Sequence, residues 1–146
     1  MKHSRLRLLH RRLAVLAAFL FATAVARAQV TSSPSIAISG QVIGASGKNA
    51  VYVALWNASG FLSKPIEQVR IAPGTDPVFR FQVPPGEYAL SAFEDKNGNG
   101  ILDMGTFGPK EPSGFWRGFH AWHKPRFADV SSRYGENTSG IQIRLH

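Results

Sequence analysis

The chain has 146 residues, with 17 Lys and Arg against nine Asp and Glu, a formal charge of +8. It contains no cysteine, which excludes disulfides, thiol catalysis, Cys-held metals and a lipid anchor on an N-terminal Cys. So basic a chain invites a nucleic-acid reading, but the way the charge is distributed removes it.

Lys2, Arg5, Arg7, Arg11 and Arg12 precede the apolar run from Leu13 to Val25, and Ala26-Arg27-Ala28 follows. This is the pattern of a secretory signal peptide, with small residues where a signal peptidase reads. The apolar run falls well short of the roughly 20 residues that span a bilayer as a helix. Cleavage is predicted between Ala28 and Gln29, giving a periplasmic or secreted protein with no membrane anchor in its mature form. Six of the basic residues lie in the leader and all nine acids lie after it, so the mature chain carries a charge of only +2. Its Lys and Arg are scattered singly, as on a solvated surface, and no nucleic-acid partner is expected. The expected organisation is a leader over 1–28, a flexible lead-in over 29–35 and one domain over 36–146.

From Ile36 the pattern alternates: Ile36, Ile38, Gly40 and Val42 on one face, Ala37, Ser39 and Gln41 on the other, the period of a half-buried strand. Turn chemistry from Gly44 to Asn49 separates it from a second strand, Ala50 to Asn57, and the two are expected to pair as a hairpin. Val51, Val53 and Leu55 share one face of that second strand. Ile66 to Ala72 reads as a third strand, Phe79 to Val83 as a fourth, and Glu87 to Glu94 as a fifth, with proline and glycine turns between them. Tyr52, Trp56, Phe79, Phe81, Tyr88 and Phe93 fall on strand periods and read as core or cross-strand packing.

The fifth strand delivers the stretch Asp95 to Asp103. Against the calcium-loop pattern D-x-[DN]-x-[DN]-G it places oxygen-bearing side chains at Asp95, Asn97, Asn99 and Asp103, glycine at Gly100, and a backbone carbonyl at Ile101. A calcium ion takes hard oxygens, and alternate residues of a tight loop can aim them at one centre. Position 12, where an EF-hand places a bidentate Glu, is Thr106; Glu94 and Glu111 are the acids available as later recruits. The low charge count points to a weak, extracellular-type structural Ca2+ site. Two Asn-Gly steps between apolar segments are equally a signal for a metal-free tight turn.

Residues 104 to 126 are punctuated by glycine and proline and hold Trp116, Phe119 and Trp122, which could either stack on sugar rings or a partner protein or cover one end of the core. His120 and His123 could share one face of a helical turn and hold zinc or copper, but no third ligand accompanies them. Asp129, one of those histidines and Ser131 or Ser132 could be drawn as a hydrolytic triad without a nucleophile-elbow motif to support it. Phe127 to Ser131 is expected as a sixth strand and Ile141 to Leu145 as a seventh. Seven short strands with no convincing helix after the leader argue for an all-β, antiparallel two-sheet sandwich.

The run Phe79 to Leu90, with Phe79, Phe81, Val83, Pro84, Pro85, Gly86 and Tyr88, the stretch Asp95 to Asp103, and Gly108, Pro109, Glu111, Gly114 and Phe115 closely resemble the bacterial DUF2141 family of uncharacterised secreted proteins. The resemblance implies a sandwich of the transthyretin or carboxypeptidase-regulatory type. It covers nearly the whole mature chain. Trp116 to His123 departs from the small polar residues usual in the family at that point. The resemblance implies no activity, and the expected function is a non-enzymatic envelope protein with a binding or accessory role toward an envelope protein or glycan. The alternatives are a carbohydrate- or protein-binding module using the 115–127 loop and a transthyretin-like hydrolase. The Tyr-Arg-Gly-Ser tail of hydroxyisourate hydrolases is replaced here by Gln142 to His146.

Overall fold

The computed structural model describes residues 34–118 and 124–146. The leader with its cleavage site, and Phe119, His120, Trp122 and His123, lie outside the described residues. The chain runs through β1 (Ile36–Ile43), β2 (Ala50–Trp56), β3 (Glu67–Ile71), β4 (Val78–Val83), β5 (Gly86–Asp95), β6 (Met104–Gly105), β7 (Gly108–Pro109), β8 (Ser113–Phe115), α1 (Phe127–Val130), β9 (Ser131–Tyr134) and β10 (Thr138–Arg144). One sheet has the order β10-β1-β4 and the other β3-β2-β5, with β8 and β9 both paired to β5. The strands β6 and β7 form a separate small ribbon.

Two-residue periodicity builds the core. Ile36, Ile38, Val42, Phe79, Phe81, Val83, Ile141 and Ile143 line the inner face of the three-stranded sheet. Val51, Val53, Leu55, Ile71, Tyr88, Leu90, Ala92 and Tyr134 line that of the other, and both sets join one buried cluster. Phe81, Ile38, Leu55 and Leu90 are fully buried, and burying each such side chain is worth about 1.5–3 kcal/mol. The molecule is therefore an almost all-β sandwich.

The first two strands do not form the expected hairpin. β1 pairs with β4 and β10, whereas β2 pairs with β3 and β5. Residues 44–49 cross from one sheet to the other, because both strands present an apolar face that must meet the opposite sheet rather than share one. The sheets are not wholly antiparallel either, since β1 and β10 run parallel. The segment expected as a sixth strand from Phe127 to Ser131 is a short helix followed by β9. There Asp129 accepts from the Arg126 backbone N–H at 3.0 Å and its guanidinium at 3.1 Å, closing a helical turn. Three further strands of two or three residues, β6 to β8, lie in the segment whose glycines and prolines hide any alternation.

Gly40 stands where the β1–β10 register slips, between Ile38 and Gly40. A Cβ there would lie 2.0 Å from the Ile141 carbonyl oxygen, so glycine is what lets the parallel strand approach. Gly40→Ala is expected to destabilise the fold by about 1–3 kcal/mol through backbone displacement. Gly135→Ala, where an added Cβ meets nothing within 4 Å, should stay within about 0.5 kcal/mol. Urea denaturation of the two variants checks the contrast.

Candidate functional site

The last two residues of β5 are both acidic, and strand alternation sends them to opposite faces. Glu94 lies opposite Val51, on the core side. It is 1% exposed, and such a carboxylate needs donors. They come from the crossover between the sheets: the Ser46 N–H at 3.0 Å, the Ser46 hydroxyl, and the Asn49 amide at 3.0 Å. Burial works to raise the Glu94 pKa, but the Ser46 hydroxyl and N–H, the Asn49 amide and the charge of Lys96 outweigh it and hold the carboxyl below its ordinary value of 4.5.

Asp95, also buried, faces the other way and organises the loop. Its Oδ1 accepts from the N–H groups of Gly98 at 2.8 Å and Asn99 at 3.2 Å, and its Oδ2 from Gly100 at 2.8 Å. Three converging N–H groups require a tight turn, and Gly98 and Gly100 supply it at φ of 77° and 75°, angles costly for other residues. Asn97 Oδ1 accepts from Asn99 N–H at 3.1 Å and Asn99 Oδ1 from Ile101 N–H at 2.8 Å. Both amides donate to Asp103 Oδ2, at 2.6 and 3.2 Å.

Beyond the loop the β6–β7 ribbon doubles back, with Lys110 N–H bonded to the Asp103 carbonyl at 2.8 Å. This return brings Glu111, buried at 6% exposure, onto the loop. Its Oε1 accepts from Lys96 N–H at 2.8 Å and its Oε2 from Asp103 N–H at 3.2 Å. Asp95, Asn97, Asn99, Asp103 and Glu111 thus share one hydrogen-bonded network, whereas Glu94 belongs to the crossover behind it. The Ile101 side chain is 66% exposed. Each carboxylate is engaged by N–H donors, and among the described residues no three or more His, Cys, Asp or Glu side chains form a group that could hold a metal ion.

A family profile described as an uncharacterized protein conserved in bacteria, DUF2141, matches residues 41–142. The chain belongs to the DUF2141 family. The matched span takes in the crossover, the 95–103 loop and Glu111. Searches of curated proteins and of solved structures each returned no match.

The aromatic segment of this DUF2141 protein is only partly among the described residues. Trp116 is half-buried and packs against the core, with its backbone N–H on the Leu90 carbonyl at 3.0 Å. Phe61 contacts Trp56, Phe115 and Phe127, with ring centroids 5.7–6.1 Å apart, on the outer side of the five-stranded sheet. Of the triad candidates, Asp129 is bound to Arg126, and the Ser131 hydroxyl donates to Glu87 at 2.6 Å. Glu94, expected from the sequence only as a later recruit to the loop, instead anchors the crossover through Ser46 and Asn49. Its signal was its parity with Tyr88, Leu90 and Ala92, which places an acid on the inward face.

Because the folded Glu94 carboxyl is more acidic than in the unfolded chain, its contribution to stability is complete above about pH 4.5 and is lost as pH falls through the folded value. Glu94→Gln is expected to lower stability at pH 7 by about 1–3 kcal/mol, since the amide places a donor against Asn49. It should also flatten the decline below pH 4.5. Urea midpoints from pH 7 to 3 read both effects, and an unchanged acid slope would assign the titration to another carboxylate.

Proposed function

We propose that this DUF2141 protein is an exported, non-catalytic sandwich of the bacterial envelope with a binding or accessory role, and that the 95–103 loop with Glu111 holds a weak structural Ca2+. The leader pattern supports export. The observation that carries the calcium reading is the return of Glu111. An acid outside the twelve-residue spacing comes back to the loop, where it holds the Lys96 and Asp103 N–H groups. The three carboxylates do not form a ready-made metal group, so an ion would have to draw Asp103 and the Asn97 and Asn99 amide oxygens toward Asp95, Glu111 and the Ile101 carbonyl, an all-oxygen set suited to calcium.

The hydrogen bonds support one way in which the loop would accommodate a cation. Asp95 and Glu111 bind backbone N–H groups and fix the turn, whereas the Asp103 carboxylate accepts from two side-chain amides, those of Asn97 and Asn99. Asp103 is therefore the group that can exchange its donors for an ion without breaking backbone bonds. The bound ion would stabilise the loop and take no part in a reaction. The non-catalytic reading is supported by the engagement of Asp129 and Ser131 in structural contacts with Arg126 and Glu87.

Calcium at ten times a Kd of about 0.1–1 mM is expected to stabilise the mature protein by about 1.4 kcal/mol. A chelator should reverse the gain. Asp103→Ala should abolish the calcium response while leaving a folded protein, whereas Asp95→Ala should lower stability with or without the ion. Calorimetric titration and thermal melts make the measurement; equal melting temperatures in calcium and in EGTA would refute the metal assignment.

A further inference from the structure

The edge of the five-stranded sheet carries a second feature that the loop reading does not use. An open cleft of about 420 Å³ lies between the crossover, β2, β3 and the start of the 95–103 loop, and Lys48, Arg70, Lys96, Tyr52 and Asp95 are among its lining residues. Three cations from three separate segments share this cleft with one acid. That acid is already engaged, since both Asp95 oxygens accept loop N–H groups.

The three cations are also left without close counter-ions. None of Lys48, Arg70 and Lys96 takes part in an ion pair among the described residues, unlike Arg126, which pairs with Asp129. Glu94 feels the charge of Lys96, but its oxygens are committed to Ser46 and Asn49. Like charges held around one concavity repel, and the arrangement is relieved by an anion that accepts hydrogen bonds from all three.

The floor of the cleft is ordered. Tyr52 lies between Arg70 on β3 and Phe93 on β5 in the strand register, and its ring stacks on Phe93 with centroids 5.1 Å apart and planes 10° from parallel. Arg70 is the cross-strand partner of this ring and lines the same cleft, and a guanidinium fork matches the geometry of carboxylate and phosphate oxygens. Lys48 and Lys96 add point charges from the crossover and the loop.

We propose that this cleft binds a small molecule through a phosphate or carboxylate group, with Arg70, Lys48 and Lys96 as its cationic ligands and Tyr52 as the surface on which the rest of the molecule lies. The site requires no metal, so it stands or falls apart from the calcium reading. Loop order and cleft order are nonetheless adjacent, since Asp95 and Lys96 belong to both.

Metal-stripped mature protein titrated with inorganic phosphate and, separately, with citrate, each followed by amide chemical shifts, tests the assignment. Saturable shifts centred on Lys48, Arg70 and Lys96 are expected in at least one arm, and the stronger arm identifies the oxyanion. Arg70→Gln and Lys96→Gln, both at exposed positions, should each weaken binding about tenfold through loss of a charge-assisted hydrogen bond. Arg126→Gln, which removes a similar charge elsewhere, should leave binding unchanged. Linear, unsaturated shifts in both arms, or equal affinity in the Arg70 and Lys96 variants and the parent, would overturn the proposal.

Discussion

A carboxylate buried at the end of the central strand must find donors, and much of this fold's arrangement follows from how Glu94 finds them. The donors lie on residues 46–49, the segment that carries the chain from one sheet to the other. The contact therefore ties together the two layers of the sandwich where no backbone ladder joins them. One residue later the same strand places a second buried acid on its opposite face, where Asp95 gathers the amides of the following loop. A strand's simple alternation thus anchors a crossover on one side and a loop on the other.

Strand β5 is also the hub of sheet pairing. Along one edge it meets β2 over Ala89 to Asp95, while its other edge is divided between β9 at Gly86 to Ala89 and β8 at Ser91 to Phe93. The chain between β8 and β9 leaves and rejoins that edge around Leu90, whose carbonyl receives the Trp116 N–H. Trp56, Phe61, Phe115 and Phe127 meet on the outer side of this sheet. Around Trp56 the sheet is consequently apolar on both faces, and there its outer face is covered by connections rather than by a third layer.

Much of this was legible in the residues. The alternation in Ile36 to Val42, Val51 to Leu55 and Phe79 to Val83 placed the inward residues correctly, because a strand with one face on a core has little freedom in its pattern. The resemblance carried by Asp95, Gly100, Glu111 and Gly114 agreed with the family match. Pairing was harder to read. Nothing local distinguishes a turn that closes a hairpin from one that crosses between sheets, and the partner of β1 lies a hundred residues away. Phe127 to Val130 looked like a strand because its single helical turn depends on the Arg126–Asp129 contact, which periodicity does not register. Glu111 was legible as a candidate only, since its arrival at the loop depends on the ribbon between them.

The parallel pairing of β1 with β10 has a kinetic side. Ile38 lies opposite Thr138 and Ile43 opposite Arg144, so the three-stranded sheet lacks its edge until residues 138–144 have left the ribosome. Contacts this distant in sequence are slow to form, because a long loop must close before any of them is made. A nascent chain of this design can pair its larger sheet well before it ends, while the smaller one is finished only with the last residues synthesised.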